Sequence, residues 1–182
     1  GAGAGATVGK VFGMDKAMKG GLGAYCVKMG ELLVGAVVAV NCLGDVIDPV
    51  TGKIMAGAFQ KEPFRFLDSE KELFQQCDMT GNRFAGNTTI GAILTNARLT
   101  KAQATKVASM AHDGYARTMR PAHTLLDGDT IFTLSVGSIQ ADISAVGALA
   151  AKVMERAVVS AITEAASLAG FPCFNEIQQI NG

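Results

Sequence analysis

Gly86-Asn87-Thr88-Thr89-Ile90-Gly91-Ala92-Ile93-Leu94-Thr95 opens as a small, flexible turn and runs straight into a short apolar, β-branched segment. A run of that length and composition, bounded by turn residues, reads as a buried strand. Two hydroxyls therefore sit where a loop enters a strand. A hydroxyl is a weak nucleophile unless a base stands beside it. Cutting the chain just before a Thr or Ser supplies one. The freed α-amine, with an unperturbed pKa of about 7.7–8.0, then serves as that residue's own base. The spacing thus makes Asn87-Thr88 a candidate self-cleavage point and Thr88 a candidate nucleophile. Two plainer readings stand beside it. Thr is common in strands because it is β-branched, and Asn87-Thr88-Thr89 also fits the N-x-[ST] glycosylation pattern, although the apolar run that follows argues for burial.

Upstream, Ala24 to Met29 reads as a strand, Gly30-Glu31 as a turn, and Leu32 to Asn41 as a second strand, which together form a hairpin signal. Asn41 ends this apolar run, where a side-chain amide can be aimed into a cleft or simply form a turn. Gly1 to Lys10 tempts a phosphate-loop reading. The Walker spacing fails, however, because Ala4 and Val11 stand where Gly and a hydroxyl residue are needed. A close-packed glycine turn is the better reading. Residues 45–86 change character, with turn signals at Asp48-Pro49 and Thr51-Gly52 and a charged stretch from Lys61 to Glu72. This region reads as an insertion or processing loop, or as a structured excursion over the cleft, with a short helix from Ser69 to Gln76.

Downstream, Thr100 and Gln103 make a capping box for a helix that ends between Ala116 and Arg120. Its apolar face carries Ala104, Val107, Ala108, Ala111 and Tyr115, and His112 lies near that face as a hydrogen-bonded core residue. Asp127-Gly128-Asp129 is a turn signal before the strand Thr130 to Ser135, and its two acids can project from one strand end. A last helix is expected from Ala145 to Leu168, stopped by Gly170 and Pro172. The order of hairpin, insertion, strand, helix, strand, helix predicts an α/β layered domain, with helices over a largely antiparallel sheet.

The chain has 182 residues, enough for one domain with a sizeable core, and its charges balance to zero. Nothing in that balance suggests a nucleic-acid partner, and the longest apolar run, Leu32 to Val40, is too short to span a membrane. Cys26, Cys42, Cys77 and Cys173 form no CxxC pair, which fits free thiols in a reducing, cytoplasmic setting.

Several stretches, in order, resemble a known family. They are Gly3-Ala4-Gly5-Ala6-Thr7-Val8-Gly9-Lys10, Met18-Lys19-Gly20-Gly21-Leu22-Gly23, Val38-Ala39-Val40-Asn41, Asn87 to Thr95, Met110-Ala111-His112-Asp113-Gly114-Tyr115-Ala116-Arg117, and Pro121-Ala122-His123-Thr124 to Phe132. Together they resemble the self-processing aminopeptidases that include L-aminopeptidase/D-Ala-esterase/amidase and the β-peptidyl aminopeptidases. The resemblance implies a four-layer αββα sandwich, autoproteolysis into two chains, an N-terminal Ser or Thr nucleophile, no metal or other cofactor, and a homo-oligomer, often a tetramer. It implies Thr88 as nucleophile, Asn41 as the oxyanion-stabilising amide, and Asp127 and Asp129 at the positions of the Ser and Glu that support the nucleophile. An acid at Asp127 and Asn-Thr at the cut are departures from the family pattern. Members also carry a long segment before the Gly-Ala repeat, so this chain is expected to be the later portion of a larger self-processed domain. The expected activity is hydrolysis of amino-terminal peptide, amide or ester bonds in small substrates. The alternatives are a self-cleaving acyltransferase of the ornithine acetyltransferase kind and an uncleaved, non-enzymatic homologue.

Overall fold

The computed structural model describes residues 1–75 and 87–181. Cys77, Gly86 and the last residue of the expected Ser69–Gln76 helix lie outside them. Four strands lead: β1 (Thr7–Val8), β2 (Met18–Lys19), β3 (Gly21–Met29) and β4 (Leu32–Val40). Four short ones follow: β5 (Asp45–Ile47), β6 (Ile54–Ala56), β7 (Phe59–Gln60) and β8 (Arg65–Phe66). Then come α1 (Ser69–Gln75), β9 (Ile90–Ala97), α2 (Lys101–Thr118), β10 (Met119–Arg120), β11 (Thr130–Ile139), α3 (Ile143–Thr163) and α4 (Phe174–Asn181).

The main sheet has the order β11-β9-β4-β3. β3 and β4 form the expected hairpin and β9 runs antiparallel to β4, whereas β11 runs parallel to β9. A parallel pair cannot be joined by a tight turn, and α2 is the crossover that joins this one. The Thr100–Gln103 capping box closes the first turn of α2 as the sequence predicts.

Period-2 alternation decides which side chains meet the helices. Val34, Ala36, Val38 and Val40 of β4, with Ile93 and Ala97 of β9, are buried. They face a helical layer contributed by Val107, Ala111 and Tyr115 of α2 and by Val146, Ala150, Val153, Met154, Ala157 and Ala161 of α3. α3 lies very close to β3, because a Cβ at Gly23 would come within 2.0 Å of the Ala157 carbonyl oxygen. Only glycine permits that approach.

The opposite face of the sheet has no cover among the described residues. Leu22, Val37, Ile90, Leu94, Phe132 and Leu134 alternate with the buried set and are exposed. The described residues therefore form one helical layer on one sheet. The αββα arrangement calls for a second such pair against this apolar face.

One element differs from the sequence reading. α3 stops at Thr163, not Leu168, and Leu168 is half exposed. The apolar spacing continues past residue 163, but the chain turns back through Ala169 and Gly170, both at positive φ. Asn175 Nδ2 then caps the Thr163 carbonyl at 2.9 Å, and α4 seats Ile177 in the core. A cap from twelve residues away leaves no local signature. The stretch 45–75 is structured. β5 pairs with both β6 and β10, and Val46 and Ala56 are fully buried.

Asp45 anchors that stretch. Its Oδ1 accepts from Ala58 N at 2.8 Å and Ser69 Oγ at 2.7 Å, and its Oδ2 accepts from Ser69 N at 2.7 Å. Burial pushes its carboxyl up to about 6, against the opposing pull of these donors.

Candidate active site

The start of β9 lies between the end of β4 and the turn before β11, so this topology brings residues 41, 87–89 and 127–129 together. Thr88 N donates to the Asn41 carbonyl at 3.2 Å, and Gly128 N donates to the Asn87 carbonyl at 2.8 Å. Thr130 N donates to the Thr89 carbonyl at 3.0 Å. The Asn87-Thr88 peptide is thus held on both sides by main-chain bonds. Asn87 is buried and Thr88 is half-buried.

The Thr88 hydroxyl points back along the chain. Its Oγ1 lies 2.7 Å from the Asn87 carbonyl oxygen, the carbonyl of the bond it would attack. Thr89 is placed differently. Its side chain is fully buried, and Oγ1 accepts from Asn41 N at 3.3 Å and faces Met119 Sδ at 3.7 Å. Of the two hydroxyls, the one at Thr88 meets the Asn87 carbonyl oxygen and the one at Thr89 fastens β9 to β4. Gly128 faces Thr88 directly: a Cβ there would lie 2.6 Å from Thr88 Oγ1.

Lys10, to which the sequence reading gave no role in the site, belongs to this cluster. Its Nζ donates to the Asn41 carbonyl at 3.0 Å and to Asn41 Oδ1 at 3.1 Å. Thr7 N donates to the same Oδ1 at 3.0 Å. Two groups that can only donate meet one end of the amide, so that end is oxygen and the other is the NH2 donor. Lys10 is buried, and desolvation lowers its pKa, opposed by Asp127. The available sequence signal was a lysine set in the apolar run Ala6 to Phe12.

The two acids have different environments. Asp127 is saturated: Oδ1 accepts from Leu43 N at 3.0 Å and Oδ2 from Thr124 Oγ1 at 2.7 Å. It ties the β11 turn to the end of β4. Asp129 Oδ1 accepts from Thr89 N at 2.9 Å. Its Oδ2 is buried without a well-formed hydrogen bond and lies 3.7 Å from His123 Nδ1. Burial raises the Asp129 pKa, opposed by the Thr89 N–H and by His123. His112 does not match the hydrogen-bonded core residue expected from the sequence: its Nδ1 is buried without a partner, and its ring packs on His123.

Among the described residues, no group of three or more His, Cys, Asp or Glu is placed to hold a metal ion, and no helix is long and apolar enough to cross a membrane. A cavity of about 660 Å³ between Phe59, Phe64, Leu168 and Ile177 is lined by none of the residues of this site.

The chain shares its fold with solved aminopeptidase structures. The chain superposes on the L-aminopeptidase D-Ala-esterase/amidase of Ochrobactrum anthropi, described as a variant of the N-terminal-nucleophile hydrolase fold, with a TM-score of 0.55 and 18% identity over 85% of this chain and 43% of that one. It superposes on a β-aminopeptidase of Burkholderia sp. with a TM-score of 0.56 and 18% identity, over 90% of this chain and 48% of that one. The chain belongs to peptidase family S58, whose model matches residues 1–173. It is 37% identical over 190 residues to an uncharacterized aminopeptidase of Mycobacterium leprae, covering 96% of this chain and 51% of the relative. It therefore spans about half the length of the curated relatives it matches.

Proposed function

We propose that this chain carries the nucleophile of an autoproteolytically activated aminopeptidase or amidase, with Thr88 freed by cleavage of Asn87-Thr88. The observation that carries the reading is the Thr88 hydroxyl at 2.7 Å from the Asn87 carbonyl oxygen, with Gly128 N–H on that same oxygen. In the maturation step, Thr88 Oγ adds to the Asn87 carbonyl carbon. The developing oxyanion is the atom to which Gly128 donates, the arrangement that electrostatic stabilisation requires. The carbon–nitrogen bond breaks, the nitrogen takes a proton, and an ester links Asn87 to Thr88 Oγ. Water then hydrolyses the ester and leaves Thr88 with a free α-amine.

In turnover, that amine takes the proton from Thr88 Oγ as the hydroxyl attacks a substrate carbonyl. The Asn41 amide, oriented by Lys10 and Thr7, donates to the oxyanion. Asp127 supports the turn through its two bonds. Asp129 holds the main chain next to the nucleophile through the Thr89 N–H. A deacylating water releases the acid product. Small peptides, amino-acid amides or esters are the proposed substrates, and a homo-oligomer is the proposed assembly. The names of the relatives and structural neighbours support this class. Intact-mass analysis of the full-length protein tests it: two fragments that meet at Asn87/Thr88, lost in Thr88→Ala, are expected. A single uncleaved chain without amidase activity would favour the non-enzymatic alternative.

A further inference from the structure

Asp129 is an acid whose second oxygen is buried beside an imidazole, and the reaction described above assigns that imidazole no role. His123 is a non-glycine residue with φ 57, in the left-handed region that such residues seldom occupy. This conformation brings its Nδ1 to 3.7 Å from Asp129 Oδ2 and turns its main-chain N–H toward the same carboxylate. The ring packs edge-on against His112 of α2, with centroids 4.9 Å apart, and lies tilted against Tyr115 at 6.4 Å. The other end of the Asp129 carboxylate holds Thr89 N, one residue after the nucleophile. A continuous line of contacts therefore runs from His112 through His123 and Asp129 to the main chain at Thr88-Thr89.

We propose that His123 is a positioning residue for the Thr88 site: as an imidazolium backed by a neutral His112, it keeps Asp129 ionised and aligned beneath the Thr88-Thr89 peptide, and it gives both maturation and turnover an acid limit. The inference rests on the proposed function for its catalytic meaning, but not for its central contact.

Two imidazoles at this distance do not both hold a charge readily, because like charges disfavour each other. His123 is the better placed of the two to carry it: it is the more exposed ring, with a side chain 41% accessible, and it faces the carboxylate. His112 has a buried Nδ1, and burial followed by the nearby His123 lowers its pKa. Beside the Thr89 N–H, which also favours the ionised form, the remaining groups near Asp129 oppose its ionisation or leave it unaided. Asp127 adds a like charge, burial raises the pKa of the Tyr115 phenol and keeps it neutral, and the Cys42 thiol is pushed up in the same way. Lys10 acts on Asp127 and Cys42. His123 is therefore the group placed to offset the burial of Asp129.

The test has one arm that does not depend on activity. Histidine titration by NMR in the full-length protein, with His112→Asn and His123→Asn for assignment, should show the His123 midpoint falling by about half a unit or more in Asp129→Asn. Asn tolerates positive φ, so His123→Asn removes the charge without straining the turn. In that variant the acid limb of both cleavage and kcat/KM should move to higher pH by a similar amount, and His123→Lys should move it back. A His123 midpoint indifferent to Asp129→Asn, or a limb unmoved in His123→Asn, overturns the proposal. A protein that never cleaves or turns over defeats the proposed function, while the titration still decides whether His123 and Asp129 are coupled.

Discussion

Gly128 donates its main-chain N–H to the Asn87 carbonyl oxygen at 2.8 Å, the same oxygen that the Thr88 hydroxyl approaches. One turn residue thus holds the carbonyl that the proposed cleavage would attack and leaves room for the Thr88 hydroxyl. Gly128→Ala would place a Cβ 2.6 Å from Thr88 Oγ1, closer than real contacts allow. The hydroxyl must shift, and a displacement near 1 Å can cost about 10²-fold in rate. Cleavage followed by mass spectrometry should slow by about that factor. Cleavage at the normal rate would mean that the Thr88 hydroxyl is not positioned as described.

Thr88 and Thr89 are distinguished by what their hydroxyls touch. Thr88→Ala should abolish both cleavage and turnover, while Thr88→Ser, which keeps a hydroxyl and an α-amine, should retain both. Thr89→Val removes a fully buried hydroxyl that accepts from Asn41 N, and it should cost about 0.5–1.5 kcal/mol of stability, measured by denaturant unfolding, for the lost hydrogen bond. If Thr89→Val stops cleavage in a folded protein while Thr88→Ala does not, the nucleophile has been assigned to the wrong residue.

Asn41→Ala should slow turnover by about 10²–10³-fold, the loss typical of one oxyanion donor. Lys10→Met should reproduce part of that loss, because Lys10 fixes which end of the amide carries the donor. Burial lowers the Lys10 pKa. The charged form that holds Asn41 is therefore lost on the alkaline side at a lower pH than for an ordinary lysine. The alkaline limb of kcat/KM should reflect this and change in Lys10→Arg, whose guanidinium stays protonated.

Asp45 gives a stability prediction of definite sign. Folded, its carboxyl holds a proton up to about pH 6, while its ordinary value is 3.8. Between those values the folded chain binds more protons than the unfolded one, so this group's contribution falls as pH rises from about 4 to 6 and is flat above. The shift corresponds to about 3 kcal/mol. The stability of the native protein relative to Asp45→Asn should therefore decline across that window in urea titrations. A difference that does not vary with pH would show that Asp45 is ionised when folded.

The hairpin, the β9 strand, the capped α2 helix and the β11 strand were legible from local pattern, because each combines a periodicity with turn or cap residues next to it in sequence. The place of Thr88 just before a strand was legible for the same reason. Contacts without a local signature could not be read. They include Lys10 on Asn41, Asp127 on Leu43, His123 beside Asp129, and the Asn175 cap that ends α3 five residues early. By itself the sequence determined which segments could be strands and helices and which side chains bore chemistry, since periodicity and residue type are properties of neighbours along the chain. The tertiary structure alone decided which of those side chains meet. The sheet order sets β9 between β4 and β11, and that order brings residues 41, 88 and 129 to one place.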